Sequence, residues 1–314
     1  MKFYTNVQLI GNQFLVRGVD NGRRFEFRDE FFPTLFVKSK KETQYKTLTG
    51  ETVEEIHPGT VRDCRDFYKK YDEVQGFAIY GNDRYIYQYI SEKYPENEIK
   101  FDISQIKLVT LDIETTAEKG FPDVESASEE ILAITIQDYN TKKITTWGVK
   151  PFFNKQENVT YYHCPTEQEL LSHFINFWMM DVPDVVTGWN IQLYDIPYIC
   201  KRLNRVLGEK LMKRFSNWGL VTEGEVYIQG RKQTTFDVGG LTQLDYLDLY
   251  KKFTYKAQES YRLDYIAEVE LGQKKLDHSE FETFKDFYTH GWQKYIEYNI
   301  VDVELVDRLE DKMK

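Results

Sequence analysis

Cysteine is scarce in this chain. Cys64, Cys164 and Cys200 are its three copies in 314 residues, and they stand far apart. That excludes a disulfide framework and a cysteine zinc finger, and it suits a reducing cytoplasm. Histidine is nearly as rare, with five copies and no HxH or HExxH spacing, so a histidine-rich zinc centre is excluded too. No apolar run approaches the length that spans a bilayer, and the opening residues MKFYTNVQLIGNQF lack the apolar core of a signal peptide. Neither an internal repeat nor a low-complexity tract is present. What is there is a chain of 41% hydrophobic residues, long enough to bury one full core and a second smaller one.

The net charge is −10, which argues at first sight against a nucleic-acid partner. Its distribution tells more. Residues 1–106 carry 16 Lys and Arg against 17 Asp and Glu, a net of −1, while the remainder carries 25 against 34, a net of −9. Acidity gathered in one part suits solubility, and it also suits a site that recruits cations. Charge alone does not choose.

The first hundred residues read as strand-rich. Apolar runs at Asn12–Val19 and Arg24–Phe27 flank Asp20-Asn21-Gly22, and Asn-Gly is the strongest short hairpin signal. Val61–Tyr71 has helical spacing. The aromatics Phe31-Phe32 and Tyr85–Tyr89 are read mainly as core, with stacking on bases as the alternative. A polar stretch, Glu92–Lys100 with Pro95, marks a junction. Beyond it Ile106–Leu111, ILAITIQ and KKITTW read as strands. Thr166–Met180 reads as a helix capped by Thr166, with Glu169 completing a capping box. Asp184–Thr187 is a short strand, Ile196–Leu207 a helix, Gly224–Val238 an exposed hairpin and Gly291–Lys314 a long helix. This order predicts a central mixed sheet flanked by helices.

Three places carry chemistry. In Leu111-Asp112-Ile113-Glu114, residues two apart on a strand point the same way, so Asp112 and Glu114 project together. Adjacent carboxylates repel unless something positive lies between them, and a hard divalent ion answers that need. In Thr187–Pro197 a strand ends in a glycine turn and a helix begins near Ile196, with Pro197 in its first turn. Asp195 is thereby placed as an N-cap, or as a carboxylate at the carboxyl end of the sheet where α/β proteins build their sites. Tyr298 and Asp302, four apart on the last helix, share a face, so the phenol can orient a water beside the carboxylate.

Taken in order, these fragments match D-x-E, N-x3-[FY]-D and Y-x3-D, and the sequence resembles the DEDDy 3′→5′ exonucleases. The stretches TGWNIQLYDIPY, LDYLDLYKKF and YIEYNIVDV closely resemble the proofreading region of family B DNA polymerases of T-even-like phages, and the N-terminal segment resembles the amino-terminal domain of those enzymes. The resemblance covers essentially the whole chain. It implies an α/β fold: an RNase H-like mixed sheet flanked by helices over 106–314, preceded by a smaller strand-rich α+β domain over 1–105. It further implies a proofreading exonuclease holding two Mg²⁺ or Mn²⁺ ions on Asp112, Glu114, Asp195 and Asp302. Asp112 would bridge the pair, Glu114 and Asp302 would complete the site of the nucleophilic water, Asp195 would hold the second ion, and Tyr298 would orient the attacking water. Asn190 and Phe121 match positions lining the single-strand channel, where Phe121 stacks on a terminal base or else anchors its loop on the core. The hairpin near Gly230 resembles one that separates primer from template.

The implied partners are single-stranded or primer-template DNA in the cytoplasm of a bacterial host, with RNA as a further one and no membrane. The polymerase palm motifs D-x2-SLYPS and Y-x-DTDS are absent from the sequence. The expectation is therefore that a second chain, or the remainder of the same polypeptide, supplies palm, fingers and thumb, and that a sliding clamp is reached through those regions. Two other readings remain open: a non-catalytic module that binds nucleic acid or a polymerase subunit, and a free-standing ribonuclease of the same motif class.

Overall fold

At the Asp20-Asn21-Gly22 signal the backbone turns with positive φ at Asn21 (48°) and Gly22 (78°), the mirror-image turn whose twist matches the flanking strands. The protein, a computed structural model, is described for residues 2–95, 99–118, 120–273 and 280–313. It divides into two units, Met1–Gln105 and Ile106–Lys314. Residues 96–98, inside the polar stretch read as a junction, lie outside the described residues.

In the first unit β1 (Lys2–Ile10), β2 (Gln13–Asp20) and β3 (Arg23–Glu30) form an antiparallel meander. Four shorter strands follow: β4 (Leu35–Lys38), β5 (Tyr45–Lys46), β6 (Thr52–Ile56) and β7 (Ile79–Tyr80), in the order β5-β6-β4-β7. Helix α1 (Val61–Tyr71) starts at a full capping box between Thr60 and Asp63. Helix α2 (Tyr85–Lys93) is not evident from its aromatic-rich sequence; it forms because Tyr85 and Tyr89, one turn apart, both bury beside Phe14 and Phe31. Core is thus the role of Phe31, Tyr85 and Tyr89, whereas Phe32 and Tyr87 are exposed.

The second unit is built on six strands: β8 (Leu108–Thr115), β9 (Ile131–Asp138), β10 (Ile144–Gly148), β11 (Val159–His163), β12 (Val185–Gly188) and β15 (Thr242–Asp245), in the order β11-β10-β9-β8-β12-β15. Strands β8, β12 and β15 run parallel, and β9 lies antiparallel between β8 and β10. Helices α3 (Glu167–Met180) and α4 (Asp195–Leu207) pack on one face, followed by a short α5 (Glu209–Met212) and the hairpin β13 (Val221–Ile228) and β14 (Arg231–Val238). Helices α6 (Tyr246–Phe253), α7 (Leu263–Leu271) and α8 (Phe284–His290) lead to α9 (Trp292–Met313), which crosses the other face. A six-stranded mixed sheet flanked by helices, with strand-rich sheets in the first unit, meets the sequence expectation of fold. No helix among the described residues is long and apolar enough to cross a membrane.

Alternation along β8 decides what faces what. Val109, Leu111 and Ile113 enter the core beneath α3 and α4, so Thr110, Asp112 and Glu114 turn toward α9. Gly188 lets β12 approach: a Cβ there would meet the Leu111 carbonyl oxygen at 2.4 Å.

Candidate active site

Because β8, β12 and β15 are parallel, their carboxyl ends (Glu114-Thr115, Gly188 and Asp245) share one edge of the sheet, the usual place for a site in such folds. The β8–β9 register slips between Glu114 and Thr115. At that slip Tyr295 of α9 donates its hydroxyl to the Thr115 carbonyl (3.1 Å), tying helix to strand. One turn further along α9 comes Asn299, and two turns further Asp302. As a result, carboxylate oxygens of Asp112, Glu114 and Asp302 all lie within 4.8 Å of one another, with Glu114 and Asp302 buried. Three such charges repel, and an all-oxygen donor set of this compactness fits a hard divalent cation such as Mg²⁺ or Mn²⁺.

Asp195 reaches the same strand differently. Helix α4 begins at Asp195 itself, with Tyr194 at the N-cap position, so the expected N-cap role is not what its side chain performs. Instead the Ile113 N–H donates to Asp195 Oδ1 (3.0 Å), at the residue between Asp112 and Glu114. The carboxylate is 2% exposed, and burial, reinforced by the charges of Asp245 and Asp302, pushes its pKa well above the usual carboxylate range. Asp195 is not one of the three residues of the tight cluster; it sits at the edge of the strand that carries two of them, close enough for the charge of Asp302 to act on it.

The loop before α4 is held by a residue that sequence reading did not single out. Asp245 accepts from the backbone N–H groups of Asn190 and Gln192 (3.0 Å each) while also capping α6 through Leu247 (3.0 Å). Asn190 takes a positive φ of 67°, a conformation Asn tolerates better than most. Asp245 lies inside the quoted stretch LDYLDLYKKF, so a signal was available.

Asn299 was missed as well. Its fully buried amide donates from Nδ2 to Asp112 Oδ2 (2.6 Å) and accepts on Oδ1 from the Thr135 hydroxyl. Only its position, next to Tyr298 and three residues before Asp302, hinted that it would face the site.

Above the carboxylates opens a cavity of about 740 Å³, lined by Glu114, Asp302, Tyr298, Tyr194, Phe121 and Arg262 among others. Tyr298 thus shares the cavity with two of the clustered carboxylates. Phe121 is 86% exposed and its ring leans on Tyr194 (centroids 5.5 Å apart), so it is no loop anchor in the core. The same ring borders a second groove of about 590 Å³, with Asn190, Arg231 and Lys232 on its walls. Asn190 therefore belongs to the groove beside the hairpin, not to the carboxylate cavity. The hairpin tip exposes Tyr227, and its flank is tied to the Phe121 loop by the Thr234 hydroxyl, which donates to Glu125. The far end of that loop is clamped by Arg202, which pairs with Glu167 and donates to the Ala127 carbonyl (3.0 Å).

Comparison with known proteins adds a family. The profile of "DNA polymerase family B, exonuclease domain" matches residues 80–266, more than half of the chain. That span holds Asp112, Glu114 and Asp195; Tyr298 and Asp302 lie beyond it. The chain is 31% identical over 339 aligned residues to the DNA-directed DNA polymerase of Enterobacteria phage T4, covering 100% of the chain and 37% of that protein. To the DNA-directed DNA polymerase of Escherichia phage RB69 it is 30% identical over 339 residues, covering 99% and 37%. The DNA polymerase catalytic subunit of human herpesvirus 6A is 28% identical over 216 residues, which cover 64% of the chain and 21% of that protein. The chain thus spans little more than a third of the phage polymerases it resembles. The resemblance to family B DNA polymerases of phages, read from TGWNIQLYDIPY, LDYLDLYKKF and YIEYNIVDV, is borne out.

Proposed function

The chain belongs to DNA polymerase family B through its exonuclease domain, and on that premise we propose that it is the proofreading 3′→5′ exonuclease portion of a replicative phage polymerase, removing 3′-terminal nucleotides from single-stranded or frayed DNA. Residues 106–314 are the RNase H-like catalytic domain in this reading, and residues 1–105 the amino-terminal domain. The observation that carries it is the meeting of Asp112 and Glu114 with Asp302, nearly two hundred residues away in sequence, with oxygens within 4.8 Å.

Asp112, Glu114 and Asp302 would hold one divalent ion, and Asp112 with Asp195, directly or through water, a second. Bound there, the ions supply an acidified water and charge compensation for the departing 3′ oxygen. The chain's own groups do the rest. Tyr298, on the cavity wall with Glu114 and Asp302, orients the attacking water by its phenol. Arg262 offers a guanidinium to a phosphate in the same cavity. Exposed Phe121 supplies a face on which the terminal base stacks, and the groove past Asn190, Arg231 and Lys232 receives the preceding nucleotides. Grip of this kind weakens with salt. The partners are DNA and the polymerase domains, on a second chain or on the rest of the polypeptide, in the host cytoplasm.

The test is a 5′-labelled single-stranded DNA oligonucleotide in Mg²⁺. The parent shortens it stepwise from the 3′ end, and Asp112→Ala/Glu114→Ala leaves it intact while keeping the parent's circular dichroism. A double variant that degrades as fast as the parent refutes the assignment. DNA binding in EDTA with no hydrolysis in Mg²⁺ by the parent would leave a binding module, and preference for an RNA strand would make it a ribonuclease.

A further inference from the structure

On the nuclease reading above, we infer that Asn299 is a positioning residue that fixes the Asp112 carboxylate for the metal through a buried row of hydroxyls. Asp112, Thr135 and Thr146 are direct cross-strand neighbours on β8, β9 and β10. Asn299, from α9, closes the row. Asn299, Thr135 and Thr146 are all fully buried, where an unmatched polar atom is costly.

The proton count gives the row a direction. A threonine hydroxyl carries one proton. Thr135 gives its proton to Asn299 Oδ1, so the 2.9 Å contact between Thr135 and Thr146 runs from the Thr146 hydroxyl to Thr135. With its carbonyl engaged, the Asn299 amide is left with its NH₂ toward Asp112, and Nδ2 donates to Oδ2 at 2.6 Å. A flipped amide would set a carbonyl oxygen against a carboxylate that can only accept, so the carboxylate fixes the sense of the amide and the two hydroxyls follow it. Thr135 and Thr146 therefore brace the amide from the side away from Asp112, and Asn299 determines how the carboxylate is turned. A bond from a buried amide to a charged, half-buried acceptor is of the strong kind. It uses one of the roughly four lone-pair positions of a carboxylate. A buried asparagine that merely satisfied the packing of α9 would need no such ordering of three hydrogen bonds.

The experiment is Mn²⁺ binding to the whole chain, read as free Mn²⁺ by electron paramagnetic resonance, alongside thermal unfolding in EDTA and the Mn²⁺ dependence of DNA hydrolysis. Asn299→Leu keeps the volume and removes the donor. The expected result is Mn²⁺ affinity weaker by about 10–100-fold, the range for lost partners of metal ligands, with hydrolysis recovered as Mn²⁺ is raised. Thr135→Val leaves Asn299 in place but removes the hydroxyl that braces its amide carbonyl, and should weaken Mn²⁺ by a smaller factor, toward the low end of about tenfold. Should Asn299→Leu fail to fold, Thr135→Val decides the matter. Mn²⁺ affinity within twofold of the parent, in whichever of the two folds, overturns the inference. A parent chain that binds no Mn²⁺ refutes the nuclease reading itself, which is a distinguishable result.

Discussion

Replacing Asp302 with Asn should stabilise the protein while destroying its activity. Oxygens of Asp112, Glu114 and Asp302 lie within 4.8 Å of one another, and two unit charges at that distance repel by roughly 3.5 kcal/mol at an effective dielectric of about 20. Asp302 faces two such partners, so neutralising it relieves up to about 7 kcal/mol before solvent and proton uptake take their share. A net gain of about 1–3 kcal/mol in EDTA is expected, and for a unit of this size that raises Tm by roughly 2–10 °C. Mg²⁺ should reverse the order. At a hundred times its Kd a ligand stabilises the folded state by about 2.7 kcal/mol, and the parent gains this while Asp302→Asn, lacking a ligand, gains little. Calorimetric scans of both proteins in EDTA and in Mg²⁺, with the oligonucleotide assay alongside, read all four corners. If Asp302→Asn melts below the parent in EDTA, and Mg²⁺ leaves the parent's Tm unmoved, the repulsion argument is wrong.

Two further perturbations separate the parts of the site. Burial raises the pKa of Asp195 above its unfolded value of about 3.9, so the folded state binds that proton more tightly. The contribution of Asp195 to metal-free stability is then fullest below about pH 4 and is lost as pH rises toward about 8, so the Tm difference between Asp195→Asn and the parent in EDTA should shift in favour of the variant over that range; a difference that does not change with pH would remove Asp195 as a cause. Phe121→Ala, at a side chain 86% exposed, should alter stability by no more than about 0.5 kcal/mol. It removes a stacking face worth about 1–3 kcal/mol per base, so KM for single-stranded DNA should rise by about 5–150-fold; an unchanged KM would place the terminal base elsewhere.

How much of this was legible in the sequence follows from the range of the interactions involved. Local rules located α1, α3 and the first hairpin turn, because the helical spacing of Val61–Tyr71, the cap at Thr166 and Asn21-Gly22 all act within a few residues. Thr166 does accept from the Glu169 N–H, as a capping residue should. Period two on β8 correctly put Asp112 and Glu114 on one side, and helical period put Tyr298 and Asp302 on one face. The motif order then joined them before any coordinates did. Tertiary effects stayed hidden. Asp195 reads as an N-cap because its neighbours are a turn and Pro197, and only the approach of β8 reveals that its acceptor is engaged by Ile113. Asn299 acts on Asp112, and Asp245, beyond its local cap on α6, on the Asn190 loop, both more than fifty residues away, so no window along the chain contains these long-range roles. Strand β11 pairs parallel to β10 after an irregular stretch and has neither strict alternation nor a turn signal at its start. Helix α2 owes its form to tyrosines that the first unit buries, not to helix propensity.

The account rests on a cation pair held by Asp112, Glu114, Asp195 and Asp302, and crystals soaked in Mn²⁺ test that most directly. Anomalous density should show two peaks about 4 Å apart, the spacing of two-metal sites, one of them against Asp112, Glu114 and Asp302. Density without a peak at those carboxylates, from protein that still degrades DNA in Mn²⁺, would contradict it.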